Sequence, residues 1–101
     1  MGHISHRVVL LCGETKINLG KIILLENISN FDLLLINMYA KDGLFRVFGT
    51  SVVDVENFKK GLIAEPTTKL DYGRVRYVDE NTIEILEITY GFIGFIYGIK
   101  L

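Results

Sequence analysis

Polarity alternates with a period of two along much of this chain, most clearly in its last twenty residues, TIEILEITYGFIGFIYGIKL from Thr82 to Leu101. Ile93, Phe95, Tyr97, Ile99 and Leu101 recur every second residue, so an extended strand puts them on one face and Gly94 and Gly98 on the other. The spacing predicts a strand whose Ile93-to-Leu101 face fills the core. Its opposite face, with Phe92, Gly94, Ile96 and Gly98, is expected to meet another strand or a neighbouring subunit closely, since glycine lets a backbone or ring approach. A terminus this apolar has to be paired and covered.

Upstream, residues 1 to 6 read as a loose terminal segment and Arg7 to Leu101 as one domain. A short apolar run from Arg7 to Cys12 predicts a strand closed by Gly13. Ile17, Leu19, Ile23 and Leu25 keep period two, with Lys21 breaking the apolar side and Gly20 marking a bulge. ENISN, residues 26 to 30, is a polar turn, followed by a strand from Phe31 to Tyr39. Its consecutive Leu33, Leu34, Leu35 and Ile36 imply burial on both faces. Helix is an alternative there, because Leu and Met are good helix formers, but the flanking turns favour a strand.

Asp42-Gly43 supplies the positive φ values of a tight hairpin, with Leu44 to Val55 as its return arm. Asp54 is placed to cap one helical turn ended by Gly61, although a loop fits equally well. Arg74, Arg76 and Val78 alternate with Val75 and Tyr77, giving an arginine-bearing face and an apolar face. In Thr82 to Tyr90 the apolar parity switches between Ile85 and Leu86, so either a bulge rephases the strand or both faces are buried. About seven or eight strands and no internal repeat predict an all-β, antiparallel β-sandwich, jelly-roll-like in character.

Composition adds an assembly expectation. Half of the 101 residues are hydrophobic and the mean hydropathy is +0.34, high for a small domain with so much surface per volume. Part of the apolar surface is therefore expected between subunits. No apolar run reaches the ~18 to 20 residues that span a bilayer, and the N-terminus meets Glu14 and Lys16 too soon for a signal peptide. Membrane insertion is not expected, and synthesis in the cytoplasm is the simplest reading. Eleven basic against twelve acidic residues disfavour nucleic acid as a partner.

Candidate chemistry is sparse. Cys12, the single cysteine, cannot form an internal disulfide and reads as a buried, inert thiol. His3 and His6 lack a third ligand, so no metal is expected. No phosphate-binding glycine loop, zinc spacing or nucleophile elbow occurs, so no cofactor and no enzymatic activity are expected. Asp54 with Glu56, and Asp79 with Glu80, read as solvated turns rather than an acid and base pair. Arg46, Tyr72, Arg74 and Arg76, together with Tyr77, offer the planar donors and aromatic faces that sugar binding uses. An ordinary strand face with snorkelling arginines and a core tyrosine would look the same.

The opening strand with Gly13, the NISNFDLLLI stretch from Asn27 to Ile36 and the closing GFIGFIYGIKL from Gly91 to Leu101 carry a resemblance. Together they make the chain resemble the small C-terminal β-sandwich domains of bacteriophage tail fibre, tail spike and baseplate proteins, especially from phages of Gram-positive hosts. That resemblance implies a homotrimer in the virion tail, assembled in the host cytoplasm as part of a fibre or spike. It also implies either attachment to a host-surface saccharide or a structural cap that trimerises the fibre. No ligand-binding residue is carried over by it.

Overall fold

The structure, a computed structural model, describes residues 7–42 and 45–101, with the side chains of residues 40–42 and 45–48 outside that description. Its strands are β1 (Arg7–Cys12), β2 (Gly20–Ile23), β3 (Leu33–Asp42), β4 (Phe45–Asp54), β5 (Gly73–Asp79), β6 (Thr82–Ile88) and β7 (Phe92–Lys100). A 3-10 turn at Ile28–Asn30 precedes β3, and a short helix, α1 (Val55–Lys59), follows β4. One antiparallel sheet has the order β1-β7-β3-β4 and the other β2-β6-β5. Only β3 to β4 and β5 to β6 connect within a sheet. Every other connection crosses between the sheets, which yields the expected all-β sandwich.

The core lies between the two inner faces. From the four-stranded sheet, Leu11, Leu34, Ile36, Met38, Ile93 and Ile96 are fully buried, and they meet Ile22, Val75, Ile83 and Ile85 from the three-stranded sheet. Ile28, Phe31, Phe58 and Ala64, from the connections, complete it. Two local readings hold in detail. Asp54 caps α1, accepting from the backbone N–H of Asn57 at 3.0 Å, and Gly61 follows with φ +112°. In β6 the register slips against β5 beside Leu86, so Ile83 and Ile85 point inward before the slip and Ile88 packs against the core after it.

The run at Leu33 to Ile36 buries Leu34 and Ile36 completely but leaves Leu33 and Leu35 half-buried on the outer face. The β3–β4 hairpin forms with Asp42 opposite Phe45, and residues 43 and 44 fall outside the described ones. The histidines at 3 and 6 do so too.

Two parity readings are overturned. In and just after β2 the buried residues are Ile22 and Leu24, whereas Ile17, Leu19, Ile23 and Leu25 are exposed. Four consecutive apolar residues, Ile22 to Leu25, fit either phase, and pairing Ile22 with Ile83 selects the inward one. In β7, strict alternation fails at Phe95, whose φ is +57°. Ile36 pairs with Ile96 but Met38 pairs with Ile93, so β7 carries an extra residue there. Ile93 and Ile96 therefore both point into the core, while Tyr97, Ile99 and Leu101 lie on the outer side. The face assigned to a neighbouring subunit is split by the same bulge. Ile96 and Gly98 face inward, Gly98 beneath the Phe31 ring, whereas Phe92 and Gly94 lie beside Tyr39.

These placements have energetic consequences. Ile96→Ala should cost about 2–5 kcal/mol, as truncation of a buried aliphatic side chain does, whereas Leu101→Ala at the exposed end should stay within about 0.5 kcal/mol. A Cβ at Gly98 would lie 2.5 Å from the Phe31 ring, so Gly98→Ala should cost about 1–3 kcal/mol by overpacking. Urea unfolding of the three variants checks the order.

Candidate functional site

Beyond the β7 bulge, the outer face of the four-stranded sheet becomes aromatic. Tyr39 on β3 and Phe92 on β7 are register partners, and their rings sit 5.8 Å apart at 40°. The Tyr39 ring lies over Gly94, where a Cβ would come within 2.7 Å of it, and its hydroxyl donates to the Thr15 carbonyl at 2.6 Å. Only glycine leaves room for that ring. The Thr15 hydroxyl donates in turn to the Ile93 carbonyl, and the Phe95 N–H to the Gly13 carbonyl at 3.4 Å. Residues 13–18 are thus strapped along the β7 edge.

This arrangement encloses a cleft of about 490 Å³. Glu14, Lys16 and Asn18 from the strap line one side, and Ile88 at the end of β6, Thr89 and Tyr90 from the β6–β7 connection and Phe92 at the start of β7 supply the remainder around Tyr39. Tyr90 is 56% exposed and Phe92 half-buried, so ring surface is available beside a carboxylate, an ammonium, an amide and a hydroxyl. Such a combination accepts an apolar ring face and hydrogen-bonds the hydroxyls around it.

The expected binding residues are placed differently. Tyr72, Arg74 and Arg76 come together at and just before β5, on the outer side of the three-stranded sheet, but each is engaged by a carboxylate. Tyr72 donates its hydroxyl to Glu87 at 2.7 Å, which raises its pKa. Arg74 lies 3.5 Å from Glu65, 3.9 Å from Glu87 and 5.7 Å from the Tyr72 ring centroid, while Arg76 pairs with Glu84 at 2.6 Å. These pairs form a cross-strand charge ladder. Arg46 is on β4 of the other sheet, opposite Lys41, and its side chain lies outside the described residues.

The members of each carboxylate pair are tied to separate partners. Asp54 gives one oxygen to the Asn57 N–H and the other to its amide, which lowers its pKa, and Glu56 pairs with Lys60 at 3.2 Å. A second cleft of about 540 Å³ beside α1 is lined by Asp32, Asp54, Glu56, Lys59 and Lys60, of which Glu56 and Lys60 pair within it while Lys59 pairs with Glu80 and Asp32 with Lys100 outside it. Cys12 is half-buried rather than fully buried, and burial pushes its thiol pKa up. Among the described residues no cluster of His, Cys, Asp and Glu fits a metal, and no helix is long and apolar enough to cross a membrane.

Tyr39, Tyr90 and the Glu14–Asn18 strap are the residues that sequence reasoning missed. Tyr90-Gly91-Phe92 carries a weak signal, two aromatics around a turn glycine, but only topology brings it beside Tyr39 and residues 14–18. No family model, curated protein or solved structure was found to match the chain.

At the α1 end, Glu80 ties three segments together. Its carboxylate takes Lys59 Nζ at 3.0 Å and the Tyr77 hydroxyl at 3.1 Å, and Ser29 adds a further hydrogen bond. With Ser29 and Lys59 as the leading causes, these donors lower the Glu80 pKa from 4.5 to about 2, although the side chain is 40% exposed. A carboxyl with a depressed folded pKa adds stability above its unfolded pKa and loses it as pH falls through the folded one. The contribution of Glu80 is therefore full above about pH 4.5 and fades towards pH 2. Glu80→Gln should lower the urea midpoint at neutral pH and show a smaller further drop than wild type across that window. Equal drops in both proteins would remove Glu80 as the source.

Proposed function

We propose that this chain is a non-enzymatic module of a virion tail that binds a host-surface saccharide as a homotrimer, with the sugar in the Tyr39–Tyr90–Phe92 cleft. The observation that carries this reading is the cleft itself, where the exposed Tyr90 ring stands with Phe92 beside Glu14, Lys16, Asn18 and Thr89. Aromatic rings cover the apolar faces of a sugar and the polar groups meet its hydroxyls, a division of labour suited to weak, specific sites. Several copies held together turn weak sites into firm attachment. The likeness to phage tail domains supplies the setting, a fibre or spike assembled in the host cytoplasm and carried on the virion.

A structural trimerisation cap at the end of such a fibre is the second reading. It is favoured by the apolar outer rows of the four-stranded sheet, where Val8, Leu10, Val52 and Leu101 are exposed.

An array of host cell-wall saccharides probed with the assembled protein tests the first reading. Tyr90→Ala should weaken binding at least tenfold, ~1.4 kcal/mol, and Arg76→Ala should leave it nearly unchanged. Absence of binding to any saccharide by the assembled wild type would leave the cap as the better account.

A further inference from the structure

We infer that a second copy of this chain packs on the outer face of the four-stranded sheet, at the end away from the aromatic cleft. Register alignment assembles this surface strand by strand. Val8, Ile99 and Leu33 form one row across β1, β7 and β3, and Leu10, Tyr97, Leu35 and Val52 form the next across all four strands. Leu101 extends the patch by one further position. Val8 is 65% exposed, Leu10 43%, Val52 54% and Leu101 63%, while the residues between them are half-buried. The single charged position in the two rows is Asp54, opposite Leu33, and it is committed to capping α1.

Area and charge both favour another copy of the chain as the occupant. Strands ~4.8 Å apart and rows ~7 Å apart, with the reach of the side chains, give an apolar patch on the order of 400 Å². Burying it on two copies together with a rim of neighbouring residues removes on the order of 1,000–1,200 Å², which reaches the lower bound of specific interfaces. A like-to-like contact fails when the shared face carries unpaired charge. Here the nearby charges are neutralised within each chain, Arg7 by Glu26 at 2.6 Å and Lys100 by Asp32 at 3.6 Å. The opposite sheet is divided, with the Arg–Glu ladder across β5 and β6 beside the exposed Ile23 and Leu86. Two sheets meeting face to face also reproduce the packing already present inside each chain.

The inference goes beyond the proposed function, since a like-to-like contact of one face closes a two-fold pair rather than the three-fold ring of that reading, and it holds whether or not the cleft takes a sugar. Its test is the mass of the full chain in solution, by light scattering and sedimentation over rising concentration. Wild type should sediment as a dimer, at twice the 11.5 kDa of the chain, and a trimer would count against the like-to-like contact. The double variant Val8→Lys with Val52→Lys should be monomeric at the same concentration, with an unchanged circular dichroism spectrum. Leu70→Lys, at an 86% exposed position in the loop before β5, should assemble as wild type does. Should the double variant fail to fold, Val52→Lys alone should raise the dissociation constant at least tenfold. A monomeric wild type at high concentration overturns the inference, as does a folded lysine variant that assembles like wild type. Saccharide binding is scored separately, and a folded monomeric variant that keeps single-site binding leaves the cleft reading standing.

Discussion

The extra residue in β7 is the constraint on which the rest of this sandwich depends. β7 lies inside its sheet, between β1 and β3, so its phase decides what the whole sheet presents on each side. At Phe95 the backbone takes a positive φ, a conformation that costs a non-glycine residue on the order of 1–2 kcal/mol. Neighbours hold it there. Asn37 donates its amide to the Phe95 carbonyl at 3.1 Å and itself accepts from the Thr50 hydroxyl at 2.5 Å, while Gly13 and Thr15 bind the strand's other edge. In return both Ile93 and Ile96 reach the core, which regular alternation forbids for residues three apart.

Glycine works with the bulge on both sides of the sheet. Gly98 makes space on the inside for Phe31, which arrives from the 3-10 turn, and Gly94 makes space for the ring of Tyr39. One ring closes an end of the core, and the other forms part of the aromatic cleft. A single irregularity thus divides the outer face into an apolar half near Leu101 and an aromatic, hydrogen-bonding half near Phe92, with the Asn37–Thr50 bond between them.

The two sheets differ in how their outer faces are finished. Across β5 and β6, Arg74 and Arg76 stand beside Glu87 and Glu84, and Lys21 on β2 is the register partner of Glu84. Alternating charges of this kind suit a surface that stays in water. Across β1, β7, β3 and β4, in the two rows nearest Leu101, the comparable positions are valine, leucine, isoleucine and tyrosine apart from Asp54. Exposed apolar side chains form contiguous rows on the sheet that also bears the cleft, while others, such as Leu19, Leu25 and Leu70, lie in the connections. The aromatic cleft and the apolar rows share one sheet and are separated along the strands.

Strand identities and the β3–β4 hairpin were legible in the sequence, and the Asp54 cap and the rephasing of β6 each stood there as one of two open alternatives, because each rests on residues near one another in the chain. Gly61 after α1 and the arginine face of β5 belong to the same class. Facing was legible only where polar and apolar residues alternate cleanly. Ile22 to Leu25 and Phe92 to Leu101 are apolar on both parities, so pairing partners chose their phase, Ile83 for β2 and Met38 with Ile36 for β7. The cleft was beyond reach for the same reason: Tyr39, Tyr90 and the 14–18 strap are far apart in sequence and meet only through sheet order. Local chemistry by itself determined which segments extend, turn and cap. Tertiary structure decided which side of each strand is buried, because burial is a property of what lies opposite a residue and not of the residue alone.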